Sequence, residues 1–294
     1  MNHHSRKPPE KYLLVNDQFL PVHIKYDSPI LYELKECSCE LSKTKLNELL
    51  SNGTMGAEYQ PILALDTLKI FAYEGLARFS DPSGKEVLPD IVFASLHQFP
   101  SLLFHQEYEQ KKFQIKNAPA GEKLFINLDQ DSFFAYQGNY RTNPLFILFE
   151  EHKNRIVVEL TENCKVIDAI GSKKVISILR KNKILSAIDD TFKPNSLFSF
   201  DVIPMIDFIK LDKSVVKRTI KDDPDLFKYV VDVINNAHQI GKRLVLEGIE
   251  NEADLSFAGE LGVDFVQGMY FSNQFINKTD LILKTEQIDS TYQQ

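Results

Sequence analysis

Seven short apolar runs in this chain each end at a side chain able to bind or move charge. In order these are Glu74, Asn127, Glu159, Asp189 with Asp190, Lys210 with Asp212, Glu247 and Gln267. An ionised group at the end of a buried strand is costly unless it is paired. One such residue reads as a helix cap or a surface group; seven in series read as a set that converges on one place. Their donor chemistry is uniform. Carboxylates and amides offer hard oxygen ligands, and with neither His nor Cys among them the set selects Mg²⁺ or Mn²⁺ over Zn²⁺. Adjacent Asp189 and Asp190 suit two ions ~3.5–4 Å apart, the separation used for in-line displacement at phosphorus. A lysine among the acids can orient water or offset developing charge. The residues alone therefore point to a two-metal phosphoester hydrolase.

Such a set needs a scaffold that delivers strand ends to one mouth. The candidate strands are 59–65, 70–76, 124–128, 156–160, 184–188, 208–211, 244–246 and 265–266, most of them separated by helical stretches. That alternation implies a (β/α)8 barrel, whose active site lies at the carboxyl ends of its strands. A doubly wound open sheet is the alternative, but no GxGxxG follows the first strand. The clearest helix runs over 224–240, with Asp223 as cap, Pro224 in the first turn and Gly241 beyond the end. Its Leu226, Tyr229, Val230, Val233, Ile234 and Ala237 fall on one face. In a second helix Val166, Ile170, Val175, Ile178 and Leu179 form an apolar stripe, leaving Lys173, Lys174, Arg180, Lys181 and Lys183 to water. Nearer the start, Ser42 caps a short helix ended by Asn52-Gly53, and Asn16-Asp17 joins a hairpin between 12–15 and 19–24.

Composition narrows the class further. Hydrophobic residues make up 43% of the 294, ample for a core, and the formal charge of −7 argues against nucleic acid or an anionic membrane as partner. The seven histidines are scattered without metal-binding spacing, and Cys37 and Cys39 are too close for a zinc knuckle. No apolar run approaches the ~18–20 residues that span a bilayer. The first fifteen residues lack a signal-peptide core, so a cytoplasmic location is expected.

The pieces EYQPI, YEGLARF, INL, VELTE, AIDD, FIKLDKS, LEGIE and GVDFVQGMYFS occur in this order between Glu58 and Phe275. The set resembles the EAL-domain cyclic-di-GMP phosphodiesterases. The resemblance implies a modified (β/α)8 TIM-type barrel with one antiparallel strand over 58–285, after a short N-terminal extension at 1–57 and before a polar tail at 286–294. It implies hydrolysis of cyclic di-GMP to linear pGpG with two Mg²⁺ or Mn²⁺ ions. Carried over by position, Glu74, Asn127, Glu159, Asp189, Asp190 and Glu247 are metal ligands, with Asp189 between the ions. Lys210, Glu247 and Gln267 act on the attacking water, while Gln60, Leu76 and Arg78 meet the substrate. Glu162 and Glu250 anchor the loop after the acid pair, or else simply favour helix dipoles. A homodimer through the barrel face is also implied.

Two departures stand out. Gly75 replaces the alanine that names the family, a missing methyl that should be tolerated. After Asp190 the chain reads Thr-Phe-Lys-Pro-Asn-Ser-Leu, where the family usually has FGTGYSSL. Both glycines are lost, and with them easy access to positive φ, so the loop is expected to take another path. This departure sets up an alternative to catalysis, a silent barrel serving as a cyclic-di-GMP receptor or a protein-interaction module.

Overall fold

Residues 11–15, 18–22, 40–161, 166–193, 201–217 and 223–282 are described by the computed structural model. Strands β1 (Lys11–Val15) and β2 (Gln18–Val22) pair antiparallel as the expected hairpin. Helix α1 (Lys43–Asn52) begins where the Ser42 hydroxyl accepts the Lys45 N–H and stops at Gly53. Then follow β3 (Thr54–Ala64), β4 (Ile70–Ser80), β5 (Glu86–Val87), α2 (Pro89–Leu96), α3 (Pro100–Asn117), β6 (Lys123–Asn127), α4 (Gln130–Ala135), α5 (Pro144–Glu151) and β7 (Ile156–Thr161). The remainder is α6 (Val166–Lys181), β8 (Leu185–Thr191), β9 (Phe208–Leu211), α7 (Ser214–Lys217), α8 (Pro224–Gln239), β10 (Arg243–Leu246), α9 (Glu252–Leu261), β11 (Phe265–Val266) and β12 (Ile276–Ile282).

These elements form two compact units. Among the described residues, one draws on parts of 11–55, on 78–99 and on 279–282, the other on 56–77 and parts of 100–278. In the first, α1 buries Leu46, Leu49 and Leu50, and α2 buries Val92 and Leu96. The end of β4 pairs with β5 there, and Phe79 meets Phe93 edge-on with centroids 6.0 Å apart.

The second unit is a closed barrel. From β4 the sheet runs through β6, β7, β8, β9, β10 and β11, each strand parallel to the next. Strand β3 joins β11 antiparallel, with Phe265 opposite Ala64, and pairs with β4 to complete the ring. The TIM-type barrel with one reversed strand is thus the observed fold. Its centre holds Ile62, Ala72, Phe125, Val157, Ala187, Phe208, Val245 and Phe265, one buried residue from each of the eight strands. Facing side chains that fill a barrel in layers make it a packed core rather than a pore. Phe71 stacks on Phe265 at 4.1 Å, and the Arg243 guanidinium lies over the rings of Phe71, Phe208 and Phe265 at 4.6 to 5.5 Å.

Two helix faces differ from expectation. In α6 the buried side is Ser172, Val175, Ile176 and Leu179, while Ile170 is exposed. In α8 only Val230, Ile234 and Ala237 are buried, and Leu226 and Tyr229 lie at the surface. An apolar stripe wider than its neighbour leaves its edges in water, and periodicity alone does not show where that edge falls. Among the described residues no helix is long and apolar enough to cross a membrane.

Candidate active site

Side chains two apart on a strand share a face. Stepping two residues along each parallel strand from the apolar layer gives Glu74 after Ala72, Asn127 after Phe125, Glu159 after Val157 and Asp189 after Ala187. It continues with Lys210 after Phe208, Glu247 after Val245 and Gln267 after Phe265. Strand β3 runs the other way, so its contribution is two residues earlier, Gln60 before Ile62. The polar layer is the next storey of the same barrel.

Lys210 stands at its centre with no exposed surface. Its Nζ lies 2.8 Å from Glu247, 3.0 Å from Glu159, 3.2 Å from Asp189 and 3.3 Å from Glu74. Asp212, which ends the same apolar run as Lys210, is not among these four; it accepts the Ser214 N–H at 2.8 Å. Glu74 is held from both sides, accepting Asn127 Nδ2 at 3.0 Å and Gln267 Nε2 at 2.7 Å. Gln267 also reaches Gln60 Oε1 at 3.4 Å, and Gln60 donates to Glu58 at 2.8 Å.

Crowding separates the acids electrostatically. Burial would raise Glu74, but Lys210 and the two amide donors outweigh it and hold this carboxyl below its usual range. Burial pushes Glu159 well upward, with the Glu74 and Asp189 charges adding to the shift against the opposing pull of Lys210. Asp189 is raised by burial first and then by the Glu74 and Asp190 charges, against the pull of Lys210. Glu247 is pushed up to about 8, again by burial first and by Asp189 and Glu74 next. Lys210 loses some basicity to burial and regains far more from its four acids, so its ammonium is secure.

Backbone irregularities complete the geometry. Consecutive strand residues normally point to opposite faces, yet Asp189 and Asp190 belong to one cluster with Glu247. The register of β8 against β9 shifts between Ile188 and Thr191, and Asp190 takes φ +59. This bulge re-aims the second carboxylate. Counting from the acid pair, Phe192 stands where the family usually has its first glycine, and it takes a positive φ of +69. At that position a left-handed step is imposed on a phenylalanine. Residues 194–200 lie outside the described residues. Beyond Gln267, Gly268 is required by contact, because a Cβ there would sit 2.1 Å from the Ile249 carbonyl oxygen. The tight approach is fixed by Ile249 N–H donating to the Gln267 carbonyl at 3.1 Å.

Helix α3 supplies a support that sequence reasoning missed. It turns Gln106, Glu107, Gln110, Lys111 and Gln114 inward, all buried. Gln114 Nε2 donates to the carbonyl of Gly75 at 2.7 Å, directly after Glu74. Tyr59 OH donates to the Gln114 carbonyl at 2.8 Å, and Gln110 donates to the Gly56 carbonyl at 3.0 Å. Glu107 accepts the Asp129 N–H at 3.0 Å, pinning the chain just after Asn127, and pairs with Lys111 at 3.3 Å. The signal was the recurrence of polar residues at three- and four-residue spacing, which elsewhere marks a face in water.

Other expected residues stand as follows. Leu76 is half-buried on β4, two residues beyond Glu74. Arg78, also on β4, belongs to the other unit. Glu250 is exposed at the approach to α9, its N–H donating to Asp254 at 3.0 Å. Glu162 lies outside the described residues.

The donor set fits divalent cations. Ligand oxygens of Glu74, Glu159 and Asp189 lie within 4.8 Å of one another, and so do those of Asp189, Asp190 and Glu247. Asp189 is common to both groups. Neither oxygen of the fully buried Glu159 has a hydrogen-bond partner, although one lies within ion-pair range of Lys210. Buried carboxylate oxygens left so poorly satisfied are suited to a hard cation.

The EAL domain model matches residues 43–274. The chain is 26% identical over 237 residues to the signaling protein YkoW of Bacillus subtilis, covering 77% of this chain and 29% of YkoW. It is 25% identical over 232 residues to the cyclic di-GMP phosphodiesterase PdeL of Escherichia coli, covering 74% of this chain and 63% of PdeL. It thus spans less than two thirds of either relative. An EAL domain protein of Listeria monocytogenes superposes with TM-score 0.61 at 21% identity, covering 79% of this chain and 92% of that one. With the reversed-strand barrel and its ring of acids in place, the family match over residues 43–274 settles the assignment: this chain belongs to the EAL domain family.

Proposed function

We propose that this chain hydrolyses one phosphodiester of cyclic di-GMP to give linear pGpG, with two Mg²⁺ or Mn²⁺ ions held by Glu74, Asn127, Glu159, Asp189, Asp190 and Glu247. The observation that carries this reading is the pair of acid groups joined through Asp189 around one buried lysine. The likeness to PdeL, a cyclic di-GMP phosphodiesterase by name, supports the substrate.

When bound, the ions would supply Lewis acidity to the phosphate and to the attacking water. The chain's own groups do the rest. Glu247, made more basic than a free carboxyl by burial and by the neighbouring Asp189 and Glu74, can take the proton of water once it is ionised as a ligand. Lys210, secure as an ammonium, offsets charge that develops beside Asp189 and Glu159. The amides of Asn127 and Gln267 fix the orientation of Glu74. Water oxygen bonds to phosphorus, one ester P–O bond breaks, and the departing oxygen takes up a proton to become an alcohol.

The test is incubation of purified protein with cyclic di-GMP and Mg²⁺ or Mn²⁺, with chromatographic detection of products beside Glu74→Ala. Linear product from the wild type alone is expected. Folded, metal-supplied protein that makes none overturns the proposal, and tight binding of the intact dinucleotide would then identify a receptor.

A further inference from the structure

The two acid groups that share Asp189 are neutralised by different kinds of lysine. Lys210 is central, fully buried and carried on β9, so it cannot leave. Lys193 is different. Its ammonium pairs with Asp190 Oδ2, yet the side chain is 45% exposed. A long lysine stem lets such a head move into water without disturbing the backbone. Resting on the metal-dependent reading above, we propose that Lys193 is a tethered cation that occupies the Asp190 side of the site until a second divalent ion displaces it.

The local backbone is built to make this contact. Asp190 and Phe192 both hold positive φ, and the Lys193 N–H donates to the Asp190 carbonyl at 3.0 Å. This tight turn folds Lys193 back over the carboxylate it follows by three residues. Non-glycine residues adopt such conformations at a cost that surrounding structure must sustain. Asp189 and Asp212 also attract the same ammonium, so its surroundings are acidic on more than one side.

Charge accounting gives the consequence. Glu74, Glu159, Asp189, Asp190 and Glu247 face Lys210 and Lys193, a formal charge of −3 when all are ionised. One divalent ion nearly neutralises the site. A second brings it to neutrality only when Lys193 swings away, so the second ion competes with a cation already in place. Lys210 touches acids of both groups, Glu74, Glu159 and Asp189 in one and Asp189 and Glu247 in the other, so its repulsion bears on both ions, whereas the Lys193 pair is lost only on the Asp190 side. The first ion therefore binds at Glu74, Glu159 and Asp189 more tightly than the second binds at Asp190.

Manganese uptake tests this without reference to turnover. Free Mn²⁺ is followed by electron paramagnetic resonance during titration of the full chain, alongside Lys193→Gln, Lys193→Met and Lys193→Arg, each checked for folding by circular dichroism. Wild type should take up one ion tightly and the second at least about tenfold more weakly. That factor is set low because an exposed ammonium is screened by water. The two neutral variants should tighten the second step about tenfold and leave the first unchanged, while Lys193→Arg stays like wild type. Two equal affinities in wild type, or a second step unmoved in both neutral variants, overturns the proposal. No uptake by any folded form overturns the metal-dependent reading itself, a distinct outcome.

Discussion

Two layers of one barrel, separated by two residues along every strand, carry opposite chemistry. The lower has Val157, Ala187, Phe208 and Val245; the upper has Glu159, Asp189, Lys210 and Glu247. Backbone geometry is the same for both, since the strands and their hydrogen bonds run through without a break until the bulge at Asp189. The lower layer gains from burial and asks nothing else of the chain. The upper layer buries charges whose mutual repulsion is only partly relieved by Lys210, an arrangement that costs stability and that a bound cation would offset. The layers should therefore respond in opposite ways to substitution.

The largest effect is expected in the lower layer. Phe208 is fully buried against Phe71, Phe125 and Phe265. Phe208→Ala should cost about 3–5 kcal/mol by loss of transfer energy and creation of a cavity. Denaturant unfolding should give the same loss with Mn²⁺ present and with chelator. A loss that depended on metal would break the separation of the two layers.

Glu159→Gln reverses the pattern. Without metal it should change stability by less than about 1 kcal/mol, because burial already favours the neutral acid whose shape it copies. It should, however, abolish most of the rise in melting temperature expected for wild type on adding Mn²⁺. Scanning calorimetry with and without Mn²⁺ reads both numbers. A large loss in chelator would mean that Glu159 is ionised and structural.

The upper layer should also carry a pH signature. Glu247 has an ordinary value of 4.5 and stands at about 8 when folded. Between these values the folded chain binds more protons than the unfolded chain, so metal-free stability falls as pH rises through this window. Asp189 and Glu159 act in the same direction, whereas Glu74, held low, loses its contribution only in acid. Metal binding requires deprotonated ligands, so Mn²⁺ should flatten or invert the slope. Urea midpoints from pH 5 to 8.5, with chelator and with Mn²⁺, measure it. A metal-free midpoint that rises across this range contradicts the electrostatic picture.

How much of this was legible in the sequence follows from the same two layers. An apolar run that stops at a carboxylate marks the boundary between storeys, which is why Glu74, Asn127, Glu159 and Lys210 could be found by eye. The paired strands also fell close to the expected segments, with 208–211 and 265–266 matching β9 and β11. Helix α3 was not legible. Gln110 and Gln114 are buried because they bond to the carbonyls of Gly56 and Gly75, and a pattern of polar residues cannot say whether its partner is water or backbone. The left-handed Phe192 was hidden for a related reason: residue type reports preference, while the turn from Asp190 to Lys193 is imposed by its hydrogen bond and its ion pair.

The smallest predicted effect sits directly after the upper layer, at Gly75. A Cβ built there would lie 3.4 Å from Leu124 Cδ1, 3.6 Å from Gln114 Cγ and 3.6 Å from Tyr59 Cε1, ordinary contact distances. Gly75→Ala should therefore stabilise the chain by about 0.4–1 kcal/mol through reduced freedom of the unfolded state. The added methyl would touch Gln114, whose amide donates to the Gly75 carbonyl, so it tests the support behind Glu74 as well. Urea midpoints for Gly75→Ala, Gln114→Leu and the double variant separate the two contributions. If the methyl and the amide are independent, the single effects add; Gln114→Leu alone should weaken Mn²⁺ uptake several-fold by releasing Glu74, and Gly75→Ala should leave uptake unchanged. Loss of uptake in Gly75→Ala would show that the backbone after Glu74 has no room to spare, which the contact distances deny.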